Sequence, residues 1–103
     1  MKIELLHIND CPNTARALAQ IETALTALGR QDLTIRLRPI KSPADTAGTA
    51  FSGSPTITVD GTDIFPGAAP TTELACRIYP TPSGMDGVPT VDQILEALRN
   101  RGL

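Results

Sequence analysis

A short apolar run passes directly into a helical pattern near the start of the chain, and this junction constrains the fold more than any other feature. Residues 2–8 begin with alternating polar and apolar residues and end apolar, which predicts a strand with both faces partly covered. From Pro12 to Leu28, apolar residues recur every three or four positions, which predicts a helix that begins at Pro12 and ends before Gly29. Cys11 lies at the junction, where the free N–H groups of a helix start lower the pKa of a thiol.

The next two segments extend this pattern into an α/β fold. Residues 33–38 alternate with period two and predict a second strand, parallel to the first through a right-handed crossover. Residues 56–59 and 62–65 are strand-like and flank the dipeptide Asp60-Gly61, a strong turn signal. They therefore predict a β-hairpin.

The other segments give a short helix, a long loop and a closing helix. Residues 42–50 begin with Ser-Pro and predict a short helix. Residues 66–89 hold five of the 9 prolines and predict a loop, with a short helical piece at 72–78. The sequence Thr-Val-Asp-Gln at 90–93 has the form of a capping box and predicts a helix that ends near residue 101.

Composition excludes several classes of function. At 103 residues the chain has the length of one domain, able to bury a single core. Only 3% of the residues are aromatic and the formal net charge is -2, which argues against nucleic acid as a partner. Met1 is followed by no basic leader and no membrane-spanning apolar stretch, which predicts a cytoplasmic protein without a membrane partner. In that reducing compartment, two cysteines favour redox, metal-binding or inert roles over a permanent disulfide.

The order β-α-β-(α)-β-β-α resembles the thioredoxin fold. Two further features carry the resemblance, namely Cys11-Pro12 at the first strand-to-helix junction and Ser54-Pro55-Thr56 before the third strand. The resemblance covers nearly the whole chain and implies a mixed four-stranded sheet flanked by helices. It also implies that Pro55 is in the cis form and packs beside the active cysteine. Pro12, Ser54, Pro55 and Thr56 are then the residues expected to contact the substrate.

The active motif departs from that family at one position. Oxidoreductases of the family carry Cys-x-x-Cys, whereas Thr14 stands at the fourth position here. The Thr14 hydroxyl can lower the pKa of Cys11 by hydrogen bonding but cannot close a disulfide. In the assumed topology the hairpin returns the chain to the Cys11 edge, so residues 66–89 are expected to overlie that edge. This loop holds Cys76, the candidate for a resolving thiol.

A wider set of motifs looks like that of small actinobacterial thioredoxin-like proteins, some of which carry an alkylmercury-lyase label. The motifs are Cys-Pro-Asn at 11–13, Gly-Ser-Pro-Thr-Ile at 53–57, Val-Asp-Gly at 59–61, Phe65, Leu-Ala-Cys-Arg-Ile-Tyr at 74–79 and Gly-Val-Pro-Thr at 87–90. Organomercurial lyases use two cysteines and an aspartate to hold mercury. In this chain, only Cys11, Cys76 and either Asp10 or Asp86 offer such a set.

Three functional hypotheses follow. In the first, Cys11 attacks a disulfide of a protein or of a low-molecular-weight thiol, and Cys76 or an external thiol resolves the mixed disulfide without a cofactor or a resident metal. In the second, the thiols bind a soft metal such as mercury, or the pocket binds a small molecule. Two cysteines and His7 fall short of a closed four-ligand site, so a homodimer would have to complete it. In the third, the fold is a redox-inactive interaction module.

Several of these residues also have a purely structural interpretation. Cys76 can be a buried small hydrophobic residue, and His7 can be a partly buried strand residue instead of a group that transfers protons near Cys11. Arg77 is expected to be solvated or to pack, and Tyr79 to cover the core. Asp10 can cap the first helix.

Overall fold

The computed structural model describes residues 1–103 as a mixed four-stranded sheet with two α-helices and a separate two-stranded hairpin. The sheet contains β1 (Ile3–Ile8), β2 (Ile35–Ile40), β3 (Thr56–Val59) and β4 (Thr62–Asp63), in the spatial order β2-β1-β3-β4. The helices are α1 (Thr14–Ala27), a 3₁₀ helix (Pro43–Thr46) and α2 (Val91–Arg99). The hairpin is formed by β5 (Tyr79–Thr81) and β6 (Gly84–Asp86).

The pairing of the strands confirms the predicted β-α-β unit and the predicted hairpin. Strand β1 pairs in parallel with β2 and antiparallel with β3, and β3 pairs antiparallel with β4. Asp60 and Gly61 connect β3 to β4 with positive φ angles of 51° and 83°, as a two-residue hairpin turn requires. Strand β4 is shorter than the predicted 62–65, because the N–H of Phe65 turns back to donate to Asp63 Oδ1 at 2.9 Å.

The helix α1 begins later than the sequence predicts. Pro12 lies outside it, Asn13 occupies the N-cap position and Thr14 is the first helical residue. The prediction that Asp10 caps this helix is wrong, because Asp10 lies in a tight turn with a φ of 59°. The tight turn and Pro12 together let the chain leave the sheet before the helix begins, so that Cys11 lies in the connection between β1 and α1.

The other end of α1 agrees with prediction. Gly29 has a φ of 68°, and the N–H of Arg30 donates to the carbonyl of Leu25 at 2.9 Å, which closes the helix in a Schellman motif. The N–H of Leu33 then donates to the carbonyl of Arg30 at 3.2 Å. Because residues 30–33 form this turn, β2 begins and ends two residues later than the predicted 33–38.

The segment 66–89 differs from the prediction in its secondary structure. Residues 72–78 form no helix, because their backbone groups near Cys76 pair with Ser54 instead. The chain then forms the hairpin β5-β6, whose turn at 81–84 reads Thr-Pro-Ser-Gly. The predicted helix at 42–50 is reduced to the four-residue 3₁₀ helix, which ends before Gly48 adopts a φ of 71°.

Both faces of the central strands are covered by apolar side chains. Because successive residues of a strand point to opposite faces, Leu5 joins the larger core formed with α1 and α2, and Leu6 joins a smaller cluster on the other side. The larger core includes the predicted helical stripe residues Ala17, Ile21, Ala24, Leu25, Ile94 and Leu98. Burial of each large aliphatic side chain contributes roughly 1.5–3 kcal/mol. Neither α-helix is long and apolar enough to cross a membrane.

The helix α2 begins with the capping box that the sequence predicts. Thr90 Oγ1 accepts a hydrogen bond from the N–H of Gln93 at 3.1 Å, and Gln93 Oε1 accepts one from the N–H of Thr90 at 2.9 Å. The amide nitrogen of Gln93 also donates to the carbonyl of Pro80 at 2.8 Å. This last contact ties the hairpin β5-β6 to the start of α2.

Candidate thiol site

The sheet brings Cys11 next to Ser54. Cys11 is half-buried and follows β1, while Ser54 is fully buried and precedes β3. These two strands are antiparallel, with Leu6 opposite Thr56, so the end of one lies beside the start of the other. The N–H of Ile8 donates to Ser54 Oγ at 3.1 Å, which fixes the Ser54 hydroxyl at this edge.

Hydrogen bonds lower the pKa of the Cys11 thiol. Burial alone would raise this pKa, but hydrogen bonds to the sulfur outweigh that effect and hold the pKa below that of an ordinary thiol. In decreasing order of effect, they come from the Ser54 side chain, the Asn13 backbone, the Thr14 side chain and the Cys76 side chain. Cys11 therefore has a larger thiolate fraction at neutral pH than an ordinary cysteine.

Thr14 contributes to the lowered pKa of Cys11 through a hydroxyl that has no other hydrogen-bond partner in the structure. Its Oγ1 is buried and makes no hydrogen bond of standard geometry. A buried hydroxyl without an acceptor costs free energy. The neighbouring Cys11 thiolate is an acceptor that would satisfy it, and Thr14 lowers the Cys11 pKa accordingly. Thr14, at the fourth position of the motif, therefore favours the ionised form of Cys11.

The segment around Cys76 runs alongside Ser54. The N–H of Ser54 donates to the carbonyl of Ala75 at 2.9 Å, and the N–H of Arg77 donates to the carbonyl of Ser54 at 2.8 Å. Cys76 lies between these two hydrogen bonds, and its side chain lies close enough to the Cys11 thiol to lower the pKa of that thiol. Cys76 is exposed, so its interpretation as a buried small hydrophobic residue is wrong. Both cysteines are free thiols.

Arg77 and Tyr79 attach this segment to the sheet. The buried guanidinium of Arg77 donates to Asp63 Oδ2 at 2.7 Å and to the carbonyl of Phe65 at 3.0 Å, and it lies 4.6 Å from the centre of the Tyr79 ring. Arg77 therefore packs and is not solvated. Tyr79 is buried as predicted, and its hydroxyl donates to the carbonyl of Pro55. Burial raises the pKa of Tyr79, so this hydroxyl stays protonated.

The residues expected to contact a substrate differ in their accessibility. The Ser54–Pro55 peptide bond is cis. The side chains of Ser54, Pro55 and Thr56 are buried, and Thr56 Oγ1 donates to the carbonyl of Gly53 at 2.5 Å. Pro12 is exposed next to Cys11. A substrate that approaches the folded protein therefore meets Pro12 and the two thiols, and not the buried residues before β3.

Gly53 is a site residue for which no role of its own was predicted from the sequence. Its φ is 107°, and a Cβ built on it would lie 2.9 Å from Arg77 Cβ, closer than real Cβ contacts. Only glycine lets the Cys76 segment approach Ser54 this closely. A glycine directly before the Ser-Pro dipeptide was the available signal, but its partner lies far along the chain.

The structure contains no cluster of three or more His, Cys, Asp or Glu side chains that could hold a metal ion. A set of two cysteines and an aspartate like that of organomercurial lyases is therefore not assembled. Asp86 instead pairs with Arg16 at 3.1 Å, and Asp10 is exposed in its turn. His7 is half-buried, with Nδ1 3.4 Å from the carbonyl of Ile8.

An open groove of about 670 Å³ lies on the far side of Cys76, and Cys11 is not among its lining residues. Cys76 is part of its wall. Most of the other lining residues are apolar or uncharged, among them Ser52, Phe65, Pro66, Ala68 and Ile78. The only charged residue in the lining is Arg77, whose charge is paired with Asp63. The groove has the volume of a small-molecule site.

Comparison with known proteins assigns no family to the chain. No protein-family model matches it, and neither a curated protein nor a solved structure does.

Proposed function

We propose that the protein is a cytoplasmic, thioredoxin-like thiol–disulfide oxidoreductase in which Cys11 is the nucleophile and Cys76 is the resolving thiol. The observation that carries this proposal is the backbone bridge between Cys76 and Ser54, which brings Cys76 beside the Cys11 thiol, whose pKa is lowered. A thiolate with a second thiol beside it is the arrangement that thiol–disulfide exchange requires. The redox-inactive alternative gives no role to the lowered pKa of Cys11.

The position of the site within the fold supports the same proposal. Cys11 lies between β1 and α1, and Pro55 lies directly before β3, which pairs with β1. These are the positions that the thioredoxin resemblance implies for an active cysteine and its neighbouring proline. The difference is that the second thiol comes from residue 76 and not from the fourth position of the motif, where Thr14 stands.

The proposed reaction has two exchange steps. The Cys11 thiolate attacks one sulfur of a disulfide RSSR, which forms the mixed disulfide Cys11–S–S–R and expels RS⁻. Cys76 then attacks the Cys11 sulfur as a thiolate, forms the Cys11–Cys76 disulfide and expels the second RS⁻. Two electrons pass from the cysteines to the substrate, and the two protons of the cysteines reach the products through solvent. An external thiol reduces the protein again by the reverse steps.

Mild oxidation of the protein and its two single variants tests this mechanism. The wild-type protein is expected to form the Cys11–Cys76 disulfide, seen as the loss of both alkylatable thiols and as a cross-linked peptide in mass spectrometry. Cys76→Ser is expected to stop at the mixed disulfide, and Cys11→Ser to react no faster than an ordinary thiol. If both variants exchange disulfides at the wild-type rate, the proposal is wrong.

Soft-metal binding is the second candidate, because two adjacent thiols are also a ligand pair for a thiophilic cation such as mercury. The absence of a third ligand restricts such a site to two protein ligands. Stoichiometric uptake of Hg²⁺ that requires both Cys11 and Cys76, in a protein that does not turn over disulfides, would favour binding over exchange.

A further inference from the structure

The backbone of Cys76 has one free side. Its N–H and its carbonyl take part in no hydrogen bond of the structure. The carbonyl of Ala75 and the N–H of Arg77 both bond to Ser54, so residues 75–77 are extended along Ser54. Because the backbone groups of an extended segment point alternately to its two sides, those of Cys76 point away from Ser54. A donor and an acceptor therefore face outward at the residue that carries the second thiol.

The free side extends to the residues two positions before and after Cys76. The backbone N–H groups of Leu74 and Ile78 also have no partner. In an extended segment, side chains two residues apart lie on one face, so Leu74, Cys76 and Ile78 share a face. All three residues are exposed, with 59% of Ile78 accessible. This edge, residues 74–78, therefore has unpaired backbone groups and an apolar side chain on either side of a thiol.

The contacts of the segment hold this edge in place and leave room beside it. The Arg77 side chain is bound to Asp63, and the Tyr79 hydroxyl to the carbonyl of Pro55. Neither contact uses the outward backbone groups of the edge. The groove of about 670 Å³ is lined in part by residues 76–80 and provides space along the edge. Extended polypeptides bind to fixed, unpaired strands of this kind through main-chain hydrogen bonds.

We infer that the edge 74–78 binds an extended polypeptide as an added antiparallel strand, with apolar side chains two positions before and after the residue opposite Cys76. In an antiparallel pair, that residue exchanges both hydrogen bonds with Cys76, and the residues two positions away pair with Leu74 and Ile78. Their side chains then lie beside the two exposed apolar side chains, which favours apolar over charged residues at those positions.

The thiols make the bound polypeptide a substrate, a step that rests on the proposed exchange chemistry. A residue directly opposite Cys76 has its Cβ about 4.5–5.5 Å from the Cys76 Cβ, so a cysteine there brings its sulfur to the thiol pair. The disulfide of the bound polypeptide is then the oxidant. It receives two electrons from Cys11 and Cys76, which form their disulfide, and it leaves as two thiols with the two protons.

NMR of the reduced wild-type protein tests the binding with a peptide that lacks cysteine, so that no thiol chemistry is involved. The peptide has seven residues and blocked ends, with serine at its centre, leucine two positions to either side, and threonine and lysine elsewhere. At millimolar peptide, we expect the amide proton signals of Cys76 and Ile78 to move downfield as their hydrogen bonds form. The amide signals of Ser54 and Arg77, which are already bonded, should move much less.

Two N-methylated peptides are the matched controls. A methyl group on the nitrogen of the central serine removes the donor to the Cys76 carbonyl, whereas one on the next residue lies on the far side of the added strand. We expect the first to weaken binding roughly three- to tenfold and the second to have little effect. A second methyl effect as large as the first, or no movement of the Cys76 and Ile78 signals, would overturn the inference. Movement of these signals with protein concentration alone would assign the edge to a second copy and overturn the polypeptide partner.

Oxidation rates test the substrate class. The reduced protein is oxidised by the disulfides of two peptides of equal composition, with leucine either two positions or one position from the cysteine. Each rate constant is divided by that of the same disulfide with 2-mercaptoethanol. We expect the first peptide to react roughly two- to tenfold faster. Ile78→Ser should reduce this difference, and Leu37→Ser, which changes an exposed residue of β2, should not.

The two experiments separate this inference from the proposed function. Peptide binding at the edge without oxidation by either disulfide would leave the binding edge in place and overturn the exchange chemistry. Oxidation at equal normalised rates by the two peptides would leave the exchange chemistry in place and overturn the substrate class.

Discussion

The sheet and the segment 66–89 are held in place by different kinds of contact. The sheet is fixed by continuous ladders and by side chains buried on both of its faces. The segment is fixed by the backbone bridge at Ser54, by a backbone hydrogen bond from Thr71 to the carbonyl of Phe51, and by a few specific side chains, among them Arg77, Tyr79 and Gln93. The thiol pair takes Cys11 from the connection that follows β1 and Cys76 from the segment, so its geometry depends on contacts that single substitutions can remove.

Of the substitutions considered, Arg77→Ala is expected to weaken the attachment of the segment 66–89 most. Arg77→Ala leaves the largely buried Asp63 carboxylate without its partner, and we expect the free energy of unfolding to fall by about 3–5 kcal/mol. The backbone amides of residues 66–89 should exchange their hydrogens faster than those of β1 and β3. Chemical denaturation and exchange measured by mass spectrometry check both points. If the segment 66–89 and the sheet opened at the same time, the segment would not be the more weakly held of the two.

Arg16→Ala is the matched control for that substitution. It also removes an ion pair to the 66–89 segment, but the Arg16 and Asp86 side chains are about half exposed. Exposed pairs contribute little, so we expect a loss below about 1 kcal/mol in the same denaturation experiment.

Tyr79→Phe is expected to have an intermediate effect. The substitution keeps the ring but removes the donor to the carbonyl of Pro55, which leaves a buried acceptor unpaired. We expect the free energy of unfolding to fall by about 1–3 kcal/mol. Thermal unfolding measures this, and a stability equal to wild type would mean that the hydroxyl does not attach the segment to the sheet.

Ser54→Ala is expected to act mainly on the chemistry of Cys11. Without the strongest hydrogen bond to the sulfur, the pKa of Cys11 should rise, so the pH at which iodoacetamide reacts half-maximally should increase. The measurement uses a Cys76→Ser background so that one thiol reacts. Ser52→Ala is the control, because the Ser52 hydroxyl donates to the carbonyl of Ala50 and not to the thiol. An unshifted pH profile in Ser54→Ala would contradict the assigned contact.

The lowered pKa of Cys11 also predicts how the stability of the folded protein changes with pH. Because the folded protein holds the pKa of Cys11 below that of an unfolded thiol, about 8.5, the ionised thiol stabilises the folded state above that value. The contribution is lost as the pH falls through the folded pKa. Ser54→Ala should make the contribution smaller, which denaturation across the pH range would detect.

Local sequence patterns were sufficient for the four-stranded sheet and for α1 and α2. The period of the apolar residues in α1, the Asp60-Gly61 turn and the capping box of α2 each act within a few residues, and each is found in the structure. Errors there concern boundaries, as at Pro12, where an additional turn delays the helix. The position of Cys11 at the junction follows directly from these local patterns.

The segment 66–89 was less predictable because its conformation depends on distant partners. The bridge between Ser54 and Cys76 and the ion pair between Asp63 and Arg77 leave no periodic pattern in the sequence. The hairpin turn at 81–84 did carry a signal, since proline and glycine occupy its second and fourth positions as a type I turn prefers. The many prolines around it favoured the interpretation as a loop.

The strand order has a consequence for how copies of this protein meet. One edge of the sheet is β2, which contains Arg36, Arg38 and Pro39, and the other is the two-residue strand β4. Charged residues, proline and very short strands make poor templates for another strand. Association through shared β-structure is therefore disfavoured at both edges, and a homodimer of this chain would have to form through side chains on another surface.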